Sequence, residues 1–319
     1  MPLLVLVGPT GVGKTATAIE LCKLLEGEIV SADSMQIYRG LDIATAKPTQ
    51  EEQVRARHHL IDVREPHEFY SAAQWADDAR AAIADILKRG KTPLVAGGTG
   101  FYLRALLEPH TLASVPPNPE LRAALEAESA EHGIGHLHRR LSEMDGPAAA
   151  RLHPNDTHRV IRAMEIVLSS DEAVPSKPPT PDAPRDFEAA VFGLTMPREA
   201  LVARLEARVD AMMAAGFMAE LRTVSQIVPP DCIAMQGVGY RQMWPVLQDE
   251  SLKDEAIELW KRDTRRYAKR QMTWFRHQLP TQWMDVTEYP NCHSLAEHIA
   301  PAWRSFYAAN ANRCKLKDG

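Results

Sequence analysis

The sequence is poor in the residues that build disulfide-stapled or zinc-held folds. Four cysteines, Cys22, Cys232, Cys292 and Cys314, are scattered over 319 residues without a C-x-x-C pair. Neither a disulfide framework nor a zinc site is indicated, and a reducing compartment fits. No stretch approaches the roughly 18 consecutive apolar residues of a membrane span. The apolar start, Pro2 to Val7, is too short for a secretory signal core and runs straight into a glycine-containing loop. A cytoplasmic location with no membrane partner is therefore expected. Positive charge is not in excess either. The net charge is −5, so no global field attracts nucleic acid, and any such contact must come from local basic patches. Internal repeats and long low-complexity tracts are absent. What remains, 45% hydrophobic and 25% charged, is ordinary for a globular chain large enough for one big domain or two.

Against this background one stretch stands out. Gly8-Pro9-Thr10-Gly11-Val12-Gly13-Lys14-Thr15 follows the apolar run Leu3 to Val7 and precedes a helical pattern, Ala16 to Leu25. Strand, glycine-rich loop and helix in that order make a phosphate cradle. Gly8 and Gly13 allow backbone N–H groups to turn inward, Lys14 adds a point charge, and the Thr15 hydroxyl can ligate a Mg²⁺ that the phosphates also hold. The motif does not say which phosphate compound it takes.

Two further strands are expected, one over Glu28 to Asp33 and one in Thr92 to Tyr102 that leads into a glycine-rich turn, and another segment, His58 to Val63, also reads as a strand. In an open α/β sheet the residues just past a strand's carboxyl end line the ligand crevice. Asp33 occupies such a position, as a general base or ligand-orienting carboxylate, or as a turn or cap residue. The strand from Thr92 is informative for what it lacks. Triphosphatases of this architecture usually end a strand in an Asp that holds the Mg²⁺ shell, whereas here the strand ends Gly97-Gly98-Thr99. A small turn leaves room for a flat substrate close to the backbone, or is simply a tight turn. His58 and His59 have no third ligand at matching spacing, so a packed or solvated pair is expected.

From about Ser114 the composition shifts. Pro116-Pro117-Asn118-Pro119 reads as a linker, helices are expected over 120–132, 136–144, 146–152 and 155–168, and the proline-rich 169–186 reads as an exposed excursion. The organisation is thus an α/β core, 1–113 with 187–319, carrying a helical insertion at 114–186. Arg159 and Arg162 share one face of the last insertion helix, open to an RNA or satisfied by Glu165. Beyond the insertion, 187–195 reads as a strand and 198–216 as a helix, on which Arg204 and Arg208 project from one face and would clamp an anion if turned to the phosphate loop. A long helix, 254–277, mixes Lys261, Arg262, Arg265, Arg266, Lys269, Arg270 and Arg276 with Trp260, Tyr267, Trp274 and Phe275. That mixture is either a nucleic-acid footprint or buried aromatics with solvated cations. The tail from Asn310 is expected to fray.

Taken together, the phosphate loop, Ser31-Ala32-Asp33-Ser34-Met35-Gln36-Ile37-Tyr38-Arg39-Gly40, Thr45-Ala46-Lys47-Pro48, His58-His59-Leu60-Ile61-Asp62, Gly97-Gly98-Thr99, Gly237-Val238-Gly239-Tyr240-Arg241 and Ala268 to Arg276 resemble, in that order and over nearly the whole chain, the bacterial tRNA dimethylallyltransferase family. The resemblance implies a P-loop NTPase-like parallel sheet with a helical insertion domain, Mg²⁺, and transfer of a dimethylallyl group from dimethylallyl diphosphate to the N6 amine of adenosine 37, beside the anticodon, in tRNAs reading codons that begin with U. It implies a diphosphate on residues 8–15, which would account for the missing acidic strand end. Asp33 matches the family's catalytic carboxylate and Thr99 a residue contacting the target nucleotide. Lys14, Thr15 with Mg²⁺, and Arg208 would stabilise the leaving diphosphate. Contacts to the tRNA anticodon stem-loop are implied for Asp33, Ser34, Met35 and Gln36, for Arg122, for His158, Arg159, Val160, Ile161 and Arg162, for Gln236, Gly237, Val238, Gly239, Tyr240 and Arg241, and for Lys269, Arg270, Gln271 and Trp274. A monomer is expected.

Ala44 stands where many relatives carry Gly, His158 and Gln236 fall at variable positions, and no Cys/His zinc finger follows the core. Two other enzymes compete with this reading. An adenylate isopentenyltransferase shares the loop and the Asp but needs neither the insertion nor the basic helix. A small-molecule kinase is disfavoured by the missing strand-end Asp. A non-enzymatic RNA-binding module would leave the loop beside a carboxylate unexplained.

Overall fold

The run Pro2–Val7 is apolar throughout and buried throughout (β1), the pattern of a strand covered on both faces. In the computed structural model, which describes residues 1–109, 115, 118–169 and 186–315, it lies inside a parallel sheet. The other strands are β2 (Gly27–Ala32), β3 (His58–His59), β4 (Thr92–Gly97), β5 (Glu188–Thr195) and β6 (Gln282–Asp285), in the order β3-β2-β4-β1-β5-β6. Contacts divide the chain into two compact units, Met1–Leu107 with Asp186–Gly319, and Glu108–Arg185. The division falls at 107/108 and 185/186, where the sequence suggested 113/114 and 186/187.

In the sheet unit, helices cover the strands. α1 (Lys14–Leu25) follows the phosphate loop, α2 (Gln50–Arg55) is short, and α3 (Ala72–Lys88) starts at Ser71, which forms a capping box with Gln74. The Trp75 indole, fully buried on α3, donates to the Ser31 carbonyl at 3.0 Å and stacks on Tyr102 of α4 (Gly100–Leu107). One large core joins α1 and the strands to the final helix through Ile19, Leu21, Leu295, Ile299 and Trp303.

The helical unit contains α5 (Pro119–His132), α6 (Ile134–Met144), α7 (Gly146–Ala150) and α8 (Thr157–Ser169), with its own core around Leu125, Leu137, Leu141, Val160 and Met164. After β5 the sheet unit continues with α9 (Arg198–Ala214), α10 (Phe217–Ser225), α11 (Tyr240–Met243), α12 (Lys253–Gln278) and α13 (Cys292–Lys315). Among the described residues no helix is long and apolar enough to cross a membrane.

Two expectations change. The strand foreseen over His58 to Val63 is only two residues long, because Leu60 and Asp62 take positive φ of 63° and 54° and turn the chain out of the sheet. Both histidines serve the fold, His58 Nδ1 bonding the Ala56 carbonyl and His59 the buried Glu28 carboxylate. The helix expected to fray from Asn310 continues to Lys315. The proline-rich excursion lies almost wholly outside the described residues, as do Pro116, Pro117 and 316–319.

Glu165 is the electrostatic centre of the helical unit. Its fully buried carboxylate accepts from Arg122, from Arg162 and from the Asn118 backbone N–H. Burial opposes the charge, but these donors outweigh it and hold the carboxyl below its ordinary range. A carboxylate with a depressed native pKa contributes stability above its ordinary value and loses it as the pH falls through the lower native one. Glu165→Ala should cost about 3 kcal/mol, the lower end of the range for a broken buried pair, because both guanidiniums reach solvent. Faster amide exchange confined to α5 and α8 is the expected readout, and wild-type exchange there should accelerate on acidification below the ordinary carboxyl range. Unchanged exchange in the variant would remove Glu165 from this role.

Candidate active site

Three adjacent strands deliver the site. The register aligns Ala32 of β2 with Gly97 of β4, and Gly97 with Val7 of β1. The residues that follow, Asp33, Gly98-Thr99 and Gly8, therefore leave the sheet side by side at its carboxyl edge. Gly97 accounts for the missing strand-end acid: a Cβ there would stand 2.2 Å from the Ala32 carbonyl oxygen, so no side chain fits. At Gly8, φ is 148° and a Cβ would meet the Leu194 carbonyl at 2.6 Å, so the loop closes on β5 only with glycine.

Lys14 opens α1 and folds back, its Nζ donating to the carbonyls of Gly8 (3.0 Å) and Pro9 (2.9 Å). Burial pushes its pKa down to about 8; the Asp33 carboxylate works against the shift and Arg208 adds to it. Arg204 and Arg208, one turn apart on α9, line the same cavity of about 970 Å³ as Lys14, Thr15 and Asp33. Neither arginine has an ion-pair or hydrogen-bond partner among the described residues. Burial and the neighbouring Arg204 lower the Arg208 pKa, with Asp33 and Glu52 opposing. Three cations converging on one cavity, none of them in an ion pair among the described residues, make an anion site.

Asp33 serves the turn, one of the roles left open by the sequence, and uses a single oxygen to do so. Oδ1 accepts from the backbone N–H groups of Met35 (2.9 Å) and Gln36 (3.3 Å), which fixes the turn, while Oδ2 has no donor among the described residues. Thr99 is tied to that turn, its hydroxyl accepting from the Ser34 N–H at 3.0 Å and its own N–H donating to Ala32. The carboxylate is held by one oxygen and available through the other.

Sequence reasoning missed how α12 holds this site. Gln271, buried, accepts the Thr10 N–H on Oε1 at 2.8 Å and donates from Nε2 to the Gly98 carbonyl at 3.0 Å. Tyr267, one turn earlier, neighbours Thr99 and Gln271; burial first, then the Asp33 charge, drives its pKa upward. Phe101, 55% exposed, adjoins Trp274, and Arg104 lies over both rings. Of the Gly98-Thr99-Gly100-Phe101 run, the sequence singled out the glycines and Thr99 but not Phe101.

The residues expected to face RNA divide. The side chains of Val160, Ile161, Tyr240 and Gln271 are buried and support the fold. Arg122 and Arg162 are engaged with Glu165. On the solvent side stand His158 and Arg159 on α8, Gln236, Arg241, and Lys269 and Arg270 on α12. Ser34, Met35 and Gln36 form the turn beside Asp33, and Gly237 packs on Met35, where a Cβ would meet its methyl group at 2.5 Å. Val238 is partly exposed and Gly239 packs on Trp260. Within α12 both readings hold in part. Trp260 and Phe275 are core, and Lys261 and Arg265 pair with Asp210 and Glu206, while Arg262, Arg266, Lys269, Arg270 and Arg276 form an exposed basic face.

Known proteins resemble this chain in sequence and fold. A family model described as IPP transferase matches residues 36–278. A tRNA dimethylallyltransferase of Thermomicrobium roseum is 46% identical over 304 residues, covering 95% of this chain and 92% of its own. One from Symbiobacterium thermophilum is 44% identical, covering 90% of each chain. The crystal structure of the full-length tRNA isopentenylpyrophosphate transferase of Bacillus halodurans superposes with a TM-score of 0.71 at 37% identity, over 100% of this chain and 99% of that one. A eukaryotic dimethylallyltransferase solved acting on tRNA gives 0.77 at 25% identity, over 99% of this chain and 80% of its own. With a family match across most of its length and relatives this similar end to end, the chain belongs to the IPP transferase family.

Proposed function

We propose that this chain transfers the dimethylallyl group of dimethylallyl diphosphate to N6 of adenosine 37 in the anticodon stem-loop of tRNAs reading codons that begin with U, acting as a monomer in the cytoplasm. The products are N6-isopentenyladenosine and diphosphate. The observation that carries the reading is the free Oδ2 of Asp33 beside a phosphate loop faced by Lys14, Arg204 and Arg208, with no acid at the end of β4.

The chemistry follows from these positions. The adenine amine is a poor nucleophile because its lone pair is delocalised into the ring. Asp33 accepts a hydrogen bond from N6, which orients the lone pair at C1 of the allylic group. The N6–C1 bond forms, the C1–O bond breaks, and its electron pair leaves on the diphosphate. The surplus N6 proton passes to Asp33 Oδ2. Lys14 and Arg208 stabilise the growing negative charge, and the short Gly97-Gly98-Thr99 turn admits the flat base close to the backbone. Exposed Arg159, Arg241, Lys269 and Arg270 would contact RNA phosphates, and the target base would leave its stack to reach the carboxylate.

The residues present fit a Mg²⁺. The Thr15 hydroxyl lines the cavity and is a hard oxygen of the kind this ion takes. Among the described residues no group of three or more His, Cys, Asp or Glu could hold a metal alone, so Thr15 would share the ion with diphosphate oxygens. Such an ion supplies charge neutralisation on the leaving group.

Incorporation of labelled dimethylallyl diphosphate into unmodified tRNA, with parallel AMP and ATP acceptors, tests the reading. Label at adenosine 37 is expected. Label in AMP or ATP instead would transfer the chain to free-nucleotide chemistry, and ATP hydrolysis without prenyl transfer would overturn the proposal.

A further inference from the structure

One carboxylate outside the anion site joins both of its walls. The cavity is bounded on one side by α9, which carries Arg204 and Arg208, and on another by the 42–49 loop. Glu220 stands on α10, which follows α9 after only Ala215 and Gly216. Its Oε2 accepts the backbone N–H groups of Asp42 (2.9 Å) and Ile43 (2.8 Å), both lining the cavity. Its Oε1 accepts from the Tyr240 hydroxyl at 2.5 Å.

Among the described residues, the remaining hydrogen bonds and ion pairs of this loop go to neighbouring segments of the chain. Gln36 Nε2 donates to the carbonyls of Thr45 and Ala46, and Lys47 donates to the Tyr38 carbonyl and pairs with Asp42 and Asp62. These bonds shape the loop but leave open where it stands relative to α9. Ala46 has a positive φ of 48°, a conformation a non-glycine residue holds only when its surroundings impose it. Glu220 supplies the link across the cavity, with a charged acceptor on two parallel amide donors. Tyr240 in turn braces the carboxylate from buried surroundings: burial, followed by the Glu220 charge, raises the tyrosine pKa and keeps its hydroxyl a donor.

We propose that Glu220 is a positioning residue that sets the width of the diphosphate pocket, by holding the Asp42–Ile43 amides against the α9–α10 wall, so that Arg204 and Arg208 meet the anion at bonding distance. This rests on the reading of the cavity as a diphosphate site. Tyr240 orients the carboxylate and does not itself touch the pocket wall.

The test is titration calorimetry of the full-length protein with inorganic diphosphate and Mg²⁺, no RNA present, followed by steady-state kinetics with both substrates. Glu220→Ala should weaken diphosphate binding about tenfold or more, the size of one lost charge-assisted hydrogen bond. The KM for dimethylallyl diphosphate should rise with it, while the KM for tRNA stays within about twofold. Glu220→Gln retains an oxygen for the two amides and should recover most of the affinity. Tyr240→Phe should fall between wild type and Glu220→Ala. If wild type does not bind diphosphate, the pocket reading itself fails. If wild type binds and Glu220→Ala binds equally well, the positioning role is overturned. A rise of both KM values by the same factor, with Glu220→Gln no better than Glu220→Ala, would also overturn it, as that marks general loss of fold. Should Glu220→Ala not fold, Glu220→Gln and Tyr240→Phe decide: binding in both identical to wild type, together with unchanged KM values, counts against the proposal.

Discussion

Asp33→Ala lowers turnover by about two to four orders of magnitude, the contribution of a positioned general base, and leaves diphosphate binding within a few fold. The split follows from the two oxygens. Oδ1 fixes the turn through Met35 and Gln36, and Oδ2 is the one open to the acceptor amine. Asp33→Asn separates these roles, since an amide oxygen can still accept the two backbone N–H groups while the NH₂ cannot take a proton. Asparagine should therefore preserve binding of both substrates and still lose most of the rate. Single-turnover transfer to unmodified tRNA is the measurement, because it isolates the chemical step. An Asp33→Asn enzyme turning over near the wild-type rate would dismiss Asp33 as the base and point to solvent as the proton acceptor.

Lys14→Ala carries the second large effect, a loss of about 10² to 10³ in kcat/KM for the allylic diphosphate. Its pH dependence makes the assignment specific. Burial leaves Lys14 with a pKa of about 8 before any anion is present. A diphosphate beside it favours the protonated form and raises that value, so binding takes up a proton wherever the free site has lost one. Affinity should accordingly be insensitive to this group below about pH 7 and fall by up to tenfold per pH unit above pH 8. The Lys14→Ala protein should bind weakly with that alkaline slope gone. Calorimetry in buffers of different ionisation enthalpy counts the protons directly. An alkaline slope persisting in Lys14→Ala would assign it to another group.

Much of this was legible in the sequence, for identifiable reasons. The loop at Gly8 to Thr15 announces itself because strand, turn and helix are contiguous, and the register of β2, β4 and β1 then places Asp33 and Thr99 beside it. The alternation of cations and aromatics on α12 was legible as a pattern, but not which half of it faced inward. Trp260 and Phe275 went to the core, and the exposed cations kept the surface. Arg162 and Glu165 could be paired from helical spacing, whereas the arrival of Arg122 on the same carboxylate, 43 positions away, could not. His58 to Val63 misled because its apolar content suggests a strand while Leu60 and Asp62 adopt a backbone conformation the residue types do not reveal. Glu220 was silent for a related reason. Two of its three donors are main-chain amides of residues 177 and 178 positions earlier, and a backbone donor leaves no mark in composition.

Gln271 has a consequence for how this site can vary. It reads an N–H with its oxygen and a carbonyl with its nitrogen, so one short uncharged group must both accept and donate. Glutamate can only accept, lysine and arginine can only donate, and leucine does neither. These, with histidine, proline and a stop, are all the outcomes that a single nucleotide change in a glutamine codon can reach. None carries a primary amide, and histidine, which when neutral can both donate and accept, does so from ring nitrogens that point apart and cannot copy the amide's paired geometry. The joint between the phosphate loop and the β4 turn therefore has no one-step neighbour that preserves both bonds, and a lineage that alters it must cross a less-bonded intermediate or restore the glutamine.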